Sequence, residues 1–357
     1  MNTIMTRTLL LLLAATAALS AQQPTITNAN LQTATAANGL QAALRAAMAK
    51  QATPAWIGYA LPKIPGDRQS CCWYNEGQRS SYGCGLEGRP ASPASAPAGP
   101  IKLEGPTHIT VLFRVEQGVV GKLQSFSVDC PLDAGGLPLH WLTNVRSAES
   151  VALLRQYAEQ PEASTDRRRR LNDAAVQALA LHAGGEAEAV LERYALSGPT
   201  VEIKKKASFW LANSRGKRGA EIVQRVLRDD PDERIREHAI FALTQSSEPG
   251  AIPAILKAAK EDKSSHVRSK GLFWLAQRAA IQAIGPIAEA IDRDPETEVK
   301  KKAVFALTQI PNGEGIPPLI QVAKENRNPA VRKQAMFWLG QSKDPRALQY
   351  LEQALAK

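Results

Sequence analysis

After its first two dozen residues the chain has no stretch that could cross a membrane without meeting a charge or a proline. A spanning helix needs roughly 20 apolar residues, so none is expected in the body of the protein. Histidine is scarce: there are five in 357 residues, and no paired-histidine motif or nucleophile elbow accompanies any of them. His108 lies by a predicted hairpin, His140 near Trp141, His182 at a predicted helix end, and His238 and His266 in repeated segments. All five read as surface or capping residues, and no catalytic residue, cofactor or metal is assigned. Cysteine is absent outside residues 71–130, and acidic residues fall short of basic ones by ten.

The first 21 residues are the exception to the lack of apolar runs. Arg7, the leucines at 9–13, an Ala-rich stretch and the small residues Ala18, Ser20 and Ala21 before Gln22 have the three-part form of a secretory signal peptide. The apolar part spans about a dozen residues, too few for an anchor, so cleavage is expected. The mature chain is then expected in the periplasm or outside the cell, with no transmembrane segment. Residues 166–357 hold 32 Lys and Arg against 24 Asp and Glu. That surplus favours an acidic protein partner, and export argues against nucleic acid.

The strongest feature is a repeat. Phe209, Phe241, Phe273, Phe305 and Phe337 follow one another at intervals of 32 residues. Around them run Ile203-Lys204-Lys205-Lys206-Ala207-Ser208-Phe209-Trp210-Leu211 and Ile235-Arg236-Glu237-His238-Ala239-Ile240-Phe241-Ala242-Leu243, with equivalents starting at Val267, Val299 and Val331 and a weaker copy at 171–179. Each unit has a second amphipathic stretch across a turn, at 220–227, 252–259, 286–291, 317–323 and 347–355. Two short helices cannot enclose a core alone; stacking them in series does.

A helix turns about 100° per residue, which sorts the columns. Counting from the Ile/Val, the Ala four on, the Trp/Ala seven on and the Leu eight on share one face and read as core. The seventh place alternates as Trp210, Ala242, Trp274, Ala306 and Trp338, so a large side chain is expected to fill space left by a small one in the next unit. Acidic or amide residues stand six places before a basic one: Asp230 with Arg236, Asp262 with Arg268, Asp294 with Lys300, and Asn326 with Arg332. They read as a structural ladder.

Places three, six and ten fall within about 60° of one another on the opposite side. They hold Lys206-Phe209-Asn213, His238-Phe241-Gln245, Lys270-Phe273-Gln277, Lys302-Phe305-Gln309 and Gln334-Phe337-Gln341. Two readings stand for this stripe. The rings and amides pack between units, or they form a partner-binding groove in which rings give contact area, amides hydrogen-bond and lysines attract acidic groups. Arg167–Arg170 reads as a solvated run.

The pattern of Asp, a few polar residues, Val-Arg-x-x-Ala and an apolar pair resembles HEAT repeats, particularly the short type associated with bilin lyases, over about residues 148–357. The resemblance implies a right-handed α-solenoid of about six helix pairs and a final helix at 345–356, with the Lys/Phe/Gln stripe on its concave surface. HEAT-like deoxyhypusine hydroxylases hold iron with repeated His-Glu dyads. Here only the reversed pair Glu237-His238 occurs, once, which does not support that activity. Bilin lyases and alkylpurine glycosylases act on cytoplasmic substrates, at odds with export.

Residues 22–145 read as a separate α+β domain, ahead of a solenoid at 146–357. Residues 28–50 are Ala-rich and expected to be helical, with Leu40, Leu44 and Met48 at four-residue spacing. Residues 55–105 are rich in Gly, Pro and Ser, with a flexible loop at 89–100. Residues 107–115 and 122–128 alternate as a β-hairpin. Cys71, Cys72, Cys84 and Cys130 are expected to form disulfides, Cys130 tying the hairpin to the loop that carries the others. Four cysteines allow three connectivities, and spacing does not choose among them. A zinc site is the alternative, but adjacent Cys71 and Cys72 do not match the usual ligand pairs. Residues 56–59, 71–73 and 132–138 are similar to parts of exported bacterial HEAT-repeat proteins, a likeness that carries no activity. The expected function is a non-catalytic interaction or scaffold module of the cell envelope, with self-association possible. The alternative is an enzyme or small-molecule site in the cysteine domain.

Overall fold

The computed structural model describes residues 23–49, 51–66, 70–76, 79–88, 107–160 and 166–356. The expected leader and the expected loop at 89–100 lie outside the described residues. The chain divides into two compact units, Met1–Leu191 and Glu192–Lys357.

In chain order the first unit has β1 (Ile26–Thr27), β2 (Asn30–Thr35), α1 (Leu40–Ala49), β3 (Ala55–Pro62), β4 (Trp73–Glu76), β5 (Arg79–Tyr82), β6 (Cys84–Gly85), β7 (His108–Glu116), β8 (Val119–Ser127), β9 (Leu132–Asp133), β10 (Pro138–Thr143), α2 (Ser147–Ala158) and α3 (Asp166–Leu181). Its main sheet has the order β2–β10–β3–β7–β8. β10 runs parallel to β2 and β3, while β7 pairs antiparallel with β3 and β8. β7 and β8 are the expected hairpin, closed more tightly than foreseen. Gln117 and Gly118 both have positive φ, as a two-residue primed turn requires.

One expectation fails here, and one strand goes beyond what was expected. The Ala-rich stretch at 28–50 is helical only from Leu40; before it, Asn30–Thr35 forms an exposed edge strand whose polar, Thr-containing sequence suits a sheet border. The Gly/Pro/Ser-rich stretch after Ala55, for which no strand was expected, opens with β3, the middle of the sheet. Trp56, Ile57, Tyr59 and Leu61 are all buried, as a strand covered on both faces demands. On one face Tyr59 and Phe113 pack toward Tyr157 of α2. On the other, Trp56, Leu112 and Trp141 enclose Cys84 and Cys130.

The helices continue as α4 (Gly185–Ser197), α5 (Val201–Ser214), α6 (Gly216–Asp229), α7 (Glu233–Thr244), α8 (Ala251–Glu261), α9 (Ser265–Ala279), α10 (Ile284–Arg293), α11 (Thr297–Thr308), α12 (Ile316–Glu325), α13 (Pro329–Gln341) and α14 (Pro345–Leu355). From α2 on, the described residues form thirteen α-helices. The first unit, which runs to Leu191, takes in α2 and α3: α3 lies on β8, and α2 carries Tyr157 and Ser150 onto the sheet.

In the second unit α5, α7, α9, α11 and α13 lie side by side, with α6, α8, α10 and α12 flanking them. Thr200, Asp232, Ser264 and Asn328 cap α5, α7, α9 and α13, each accepting a backbone N–H of the first turn. The Ile/Val column at 203, 235, 267, 299 and 331 and the Leu column at 211, 243, 275, 307 and 339 are buried throughout. Each flanking helix enters through a small buried residue: Gly219, Ala251, Ala283, Gly315 and Ala347.

Candidate functional site

What holds one helix pair to the next is a buried ion ladder. Asp230, Asp262, Asp294 and Asn326 are the C-cap residues of α6, α8, α10 and α12. Each side-chain oxygen accepts the N–H two residues on, which turns the chain into the next helix. The three carboxylates also take a base from the preceding pair. Lys204 donates to Asp230 at 2.8 Å, Arg236 to Asp262 through two bonds of 2.8 and 2.9 Å, and Arg268 to Asp294 at 2.7 and 3.0 Å. A spare guanidinium N–H then reaches the carbonyl six residues back, as from Arg236 to Asp230 and from Arg268 to Asp262. The ladder expected from sequence therefore runs between pairs. It changes character at Lys300, which donates to the Asp292 carbonyl, while Asn326 takes the place of a fourth aspartate.

With that ladder fixing the stack, the aromatic residues of the second helices meet in one seam. Phe209 stacks on Phe241 at 6.0 Å and 15°, and Phe273 on Phe305 at 6.2 Å and 8°. Trp274 joins the two stacks, lying 5.3 Å from both Phe241 and Phe273. Trp338 likewise joins Phe305 at 4.8 Å to Phe337 at 5.1 Å, and Trp210 lies edge-on to Phe209. Eight rings thus run unbroken through five repeats.

The seam corrects one expectation about the core. Trp210, Trp274 and Trp338 are half-buried, whereas Ala242 and Ala306 are fully buried. Trp274 and Trp338 lean out over the phenylalanine of the preceding Ala-type repeat instead of entering the core. The true period of this face is therefore two repeats. Thr244 and Thr308 follow the same alternation, each accepting the side-chain N–H of the next glutamine, Gln245 or Gln309.

The rings are not sealed in. Phe209, Phe241, Phe273 and Phe305 are half-buried, and Phe337 is 53% exposed. The rings thus pack between repeats and still present area to solvent. The polar positions differ among themselves. Glu237 binds Lys270 at 2.9 Å and His266 at 2.8 Å; burial opposes its charge, yet hydrogen bonds from these two side chains hold its pKa below the usual value. Lys302, Gln277 and Gln341 are exposed, and Lys206, Asn213, Gln245, Gln309 and Gln334 half-buried. His238 is mostly enclosed against Phe241, and burial, reinforced by Lys205, pushes its pKa down.

In the first unit the cysteines are paired Cys71–Cys130 and Cys72–Cys84. The surface assignment of two histidines fails there. His182 is fully buried: the Tyr59 hydroxyl lies 2.8 Å from Ser150 Oγ, which lies 3.0 Å from His182 Nε2. A serine and an imidazole at that distance suit nucleophilic catalysis, but Tyr59, Ser150 and His182 are each 0% exposed, so no substrate reaches them. His140 is buried beside Gln51. The apolar neighbours Leu179, Ala180 and Leu181 were the sequence signal for His182. A cleft of about 590 Å³ opens beside the hairpin, lined by Glu87, Arg114, Glu116 and Lys122 among others. Its cations are occupied: Arg114 bonds to Glu87 and Glu116, and Lys122 to the Leu86 carbonyl.

Stacked helix pairs with an ion ladder at the C-caps of α6, α8 and α10 define a helical-repeat protein. Residues 187–276 and 284–357 match the family profile for HEAT repeats, and the second unit is a HEAT-repeat array. No curated protein sequence matches the chain. Among solved structures, human deoxyhypusine hydroxylase in complex with glycerol is similar at 17% identity and a TM-score of 0.32, over 59% of this chain and 80% of that one. YibA of Escherichia coli is similar at 20% identity and a TM-score of 0.35, over 60% and 83%. Kap121p bound to Pho4p is similar at 13% identity and a TM-score of 0.29, over 53% of this chain and only 24% of Kap121p. HEAT repeats commonly serve as protein-interaction scaffolds. No described helix is long and apolar enough to cross a membrane.

Proposed function

We propose that this protein is a non-catalytic interaction module of the cell envelope, holding an acidic protein segment along the aromatic seam of its HEAT repeats. The observation that carries this reading is the unbroken run of half-exposed rings. Stacked aromatic faces give large contact area at low conformational cost, and interfaces are enriched in them. An extended segment lying across the second helices meets a ring in every repeat, with amides at Gln277 and Gln341 for its backbone and Lys302 for its carboxylates. Export is supported by the leader-like first 21 residues and by two disulfides, which persist in oxidising compartments. A second reading, a small-molecule site in the cleft beside the hairpin, has weaker support because the cations there already have partners.

Affinity capture from an envelope fraction tests the main reading. Since Glu237 already neutralises Lys270, and Lys206 is half-buried with contacts of its own in the fold, the useful charge reversal is Lys302→Glu. Replacing a rim charge alters binding more than stability. Capture should fall about tenfold or more with the thermal transition unmoved. Equal capture by the variant overturns the reading.

A further inference from the structure

The two disulfides touch. Cys130 Sγ lies 3.7 Å from Cys84 Sγ, although the two sulfurs belong to different bonds. The sulfurs of Cys71, Cys84 and Cys130 all lie within 4.8 Å of one another. Cys84 and Cys130 are buried in the core of the first unit, while Cys71 and Cys72 are half-buried at its edge. Each bond therefore joins one outer sulfur to one inner sulfur, and the inner sulfurs are in van der Waals contact. A main-chain N–H of Cys72 also points at Cys84 Sγ, at 2.9 Å.

We propose that these four cysteines form a thiol–disulfide exchange site for a dithiol, whose two-electron-reduced form holds a Cys84–Cys130 bond inside and presents Cys71 and Cys72 as an adjacent dithiol outside. A thiolate of the incoming dithiol attacks Cys72 Sγ. The Cys72–Cys84 bond breaks, and its electron pair leaves on Cys84, where the Cys72 N–H stabilises the charge and improves the leaving group. The Cys84 thiolate attacks Cys130 Sγ beside it. The Cys71–Cys130 bond breaks, a Cys84–Cys130 bond forms, and Cys71 departs as a thiolate that takes a proton from water. The second thiol of the reagent displaces Cys72 from the mixed disulfide and closes its own ring, and Cys72 is protonated in turn. One dithiol is oxidised, two cysteines are reduced, and the proton count balances.

The exchange leaves the core tied. β6, with Cys84, already pairs with β9 just after Cys130, and the Cys84 N–H donates to the Pro131 carbonyl at 2.9 Å. The new bond has only the gap between two sulfurs already 3.7 Å apart to close. What is released is the covalent hold on Cys71 and Cys72.

The test is limited reduction of the oxidised full chain with one equivalent of dithiothreitol, followed by alkylation and peptide mapping. Because the inner sulfurs re-pair as soon as they are freed, Cys71 and Cys72 should carry about tenfold more label than Cys84 and Cys130, together with a Cys84–Cys130 linked peptide. Label on Cys72 with Cys84, or on Cys71 with Cys130, the other native bond staying intact, overturns the proposal. A second arm needs no reductant. The Cys71→Ser/Cys72→Ser variant should oxidise to a Cys84–Cys130 bond with no free thiol, whereas two persistent thiols in folded protein contradict it. If that variant does not fold, the reduction experiment decides alone.

Discussion

Removing the Asp262 carboxylate is the sharpest perturbation of the stack. Arg236 is 2% exposed and the Asp262 side chain 7%, with two parallel bonds between them. In Asp262→Ala the guanidinium keeps only the Asp230 and Pro231 carbonyls, and the turn loses the bond from the Ser264 N–H. Stranding one partner of a buried, bidentate ion pair costs roughly 3–5 kcal/mol. For a unit of this size that corresponds to a fall of about 6–20 °C in Tm. In an array stabilised by nearest-neighbour contacts the loss should be local, so hydrogen exchange should rise first in α7, α8 and α9. Circular dichroism in urea measures the total, and exchange mass spectrometry its location. The double variant Arg236→Met/Asp262→Ala should recover at least about 1 kcal/mol, because a buried charge without a partner is worse than an apolar pair. Glu261→Ala, which removes a 4.0 Å surface pair with Lys257, should leave the transition in place. The reasoning fails if Asp262→Ala is no more harmful than that control, or if the double variant is the least stable of the set.

Two glycines in the array should respond with opposite signs. A Cβ at Gly315 would sit 1.8 Å from the Leu307 carbonyl oxygen, so Gly315→Ala should cost about 2–4 kcal/mol by forcing α12 off α11. At Gly340 on α13 a Cβ meets nothing within 4 Å, so Gly340→Ala should gain up to about 1 kcal/mol from helix propensity. Urea midpoints check both. His238 gives a pH dependence. Its pKa is lower folded than unfolded, so the unfolded chain binds the proton first and stability falls as pH drops below the ordinary histidine range. Between pH 7.5 and 5.5 the urea midpoint of the wild type should therefore fall further than that of His238→Gln; equal slopes refute this.

The repeats were legible because their signal is redundant. Five phenylalanines in one register, with Ile/Val and Leu columns around them, leave little freedom, and all the buried columns but one follow the 100° rotation. The exception is the seventh place. Rotation alone puts Trp274 and Ala242 on the same face, but an indole is long enough to lean over the neighbouring repeat while a methyl group is not. The ladder's direction was hidden for a related reason: Asp262 stands nearer in sequence to Arg268 than to Arg236, and only the stack brings Arg236 across.

The first unit was less legible. Its sheet pairs β10 with β2 over more than a hundred residues, and a long-range parallel pairing leaves no local pattern beyond an apolar run. The polar edge strand β2 had no hydrophobic alternation to betray it. His182 looked like a helix-end residue, which it is in sequence; its partners Ser150 and Tyr59 arrive from elsewhere in the chain. The disulfide pairing was beyond reach because all four sulfurs converge on one spot.

Photo-crosslinking in producing cells bears most directly on the seam as a protein-contact surface. A benzoylphenylalanine at position 302, exposed beside Phe305, is compared with one at position 119, exposed at the hairpin turn of the first unit. A discrete protein adduct from position 302, lost when Phe305 and Phe337 are also replaced by serine, is the predicted result. An adduct from position 119 alone, or one from 302 that survives loss of the rings, contradicts the account.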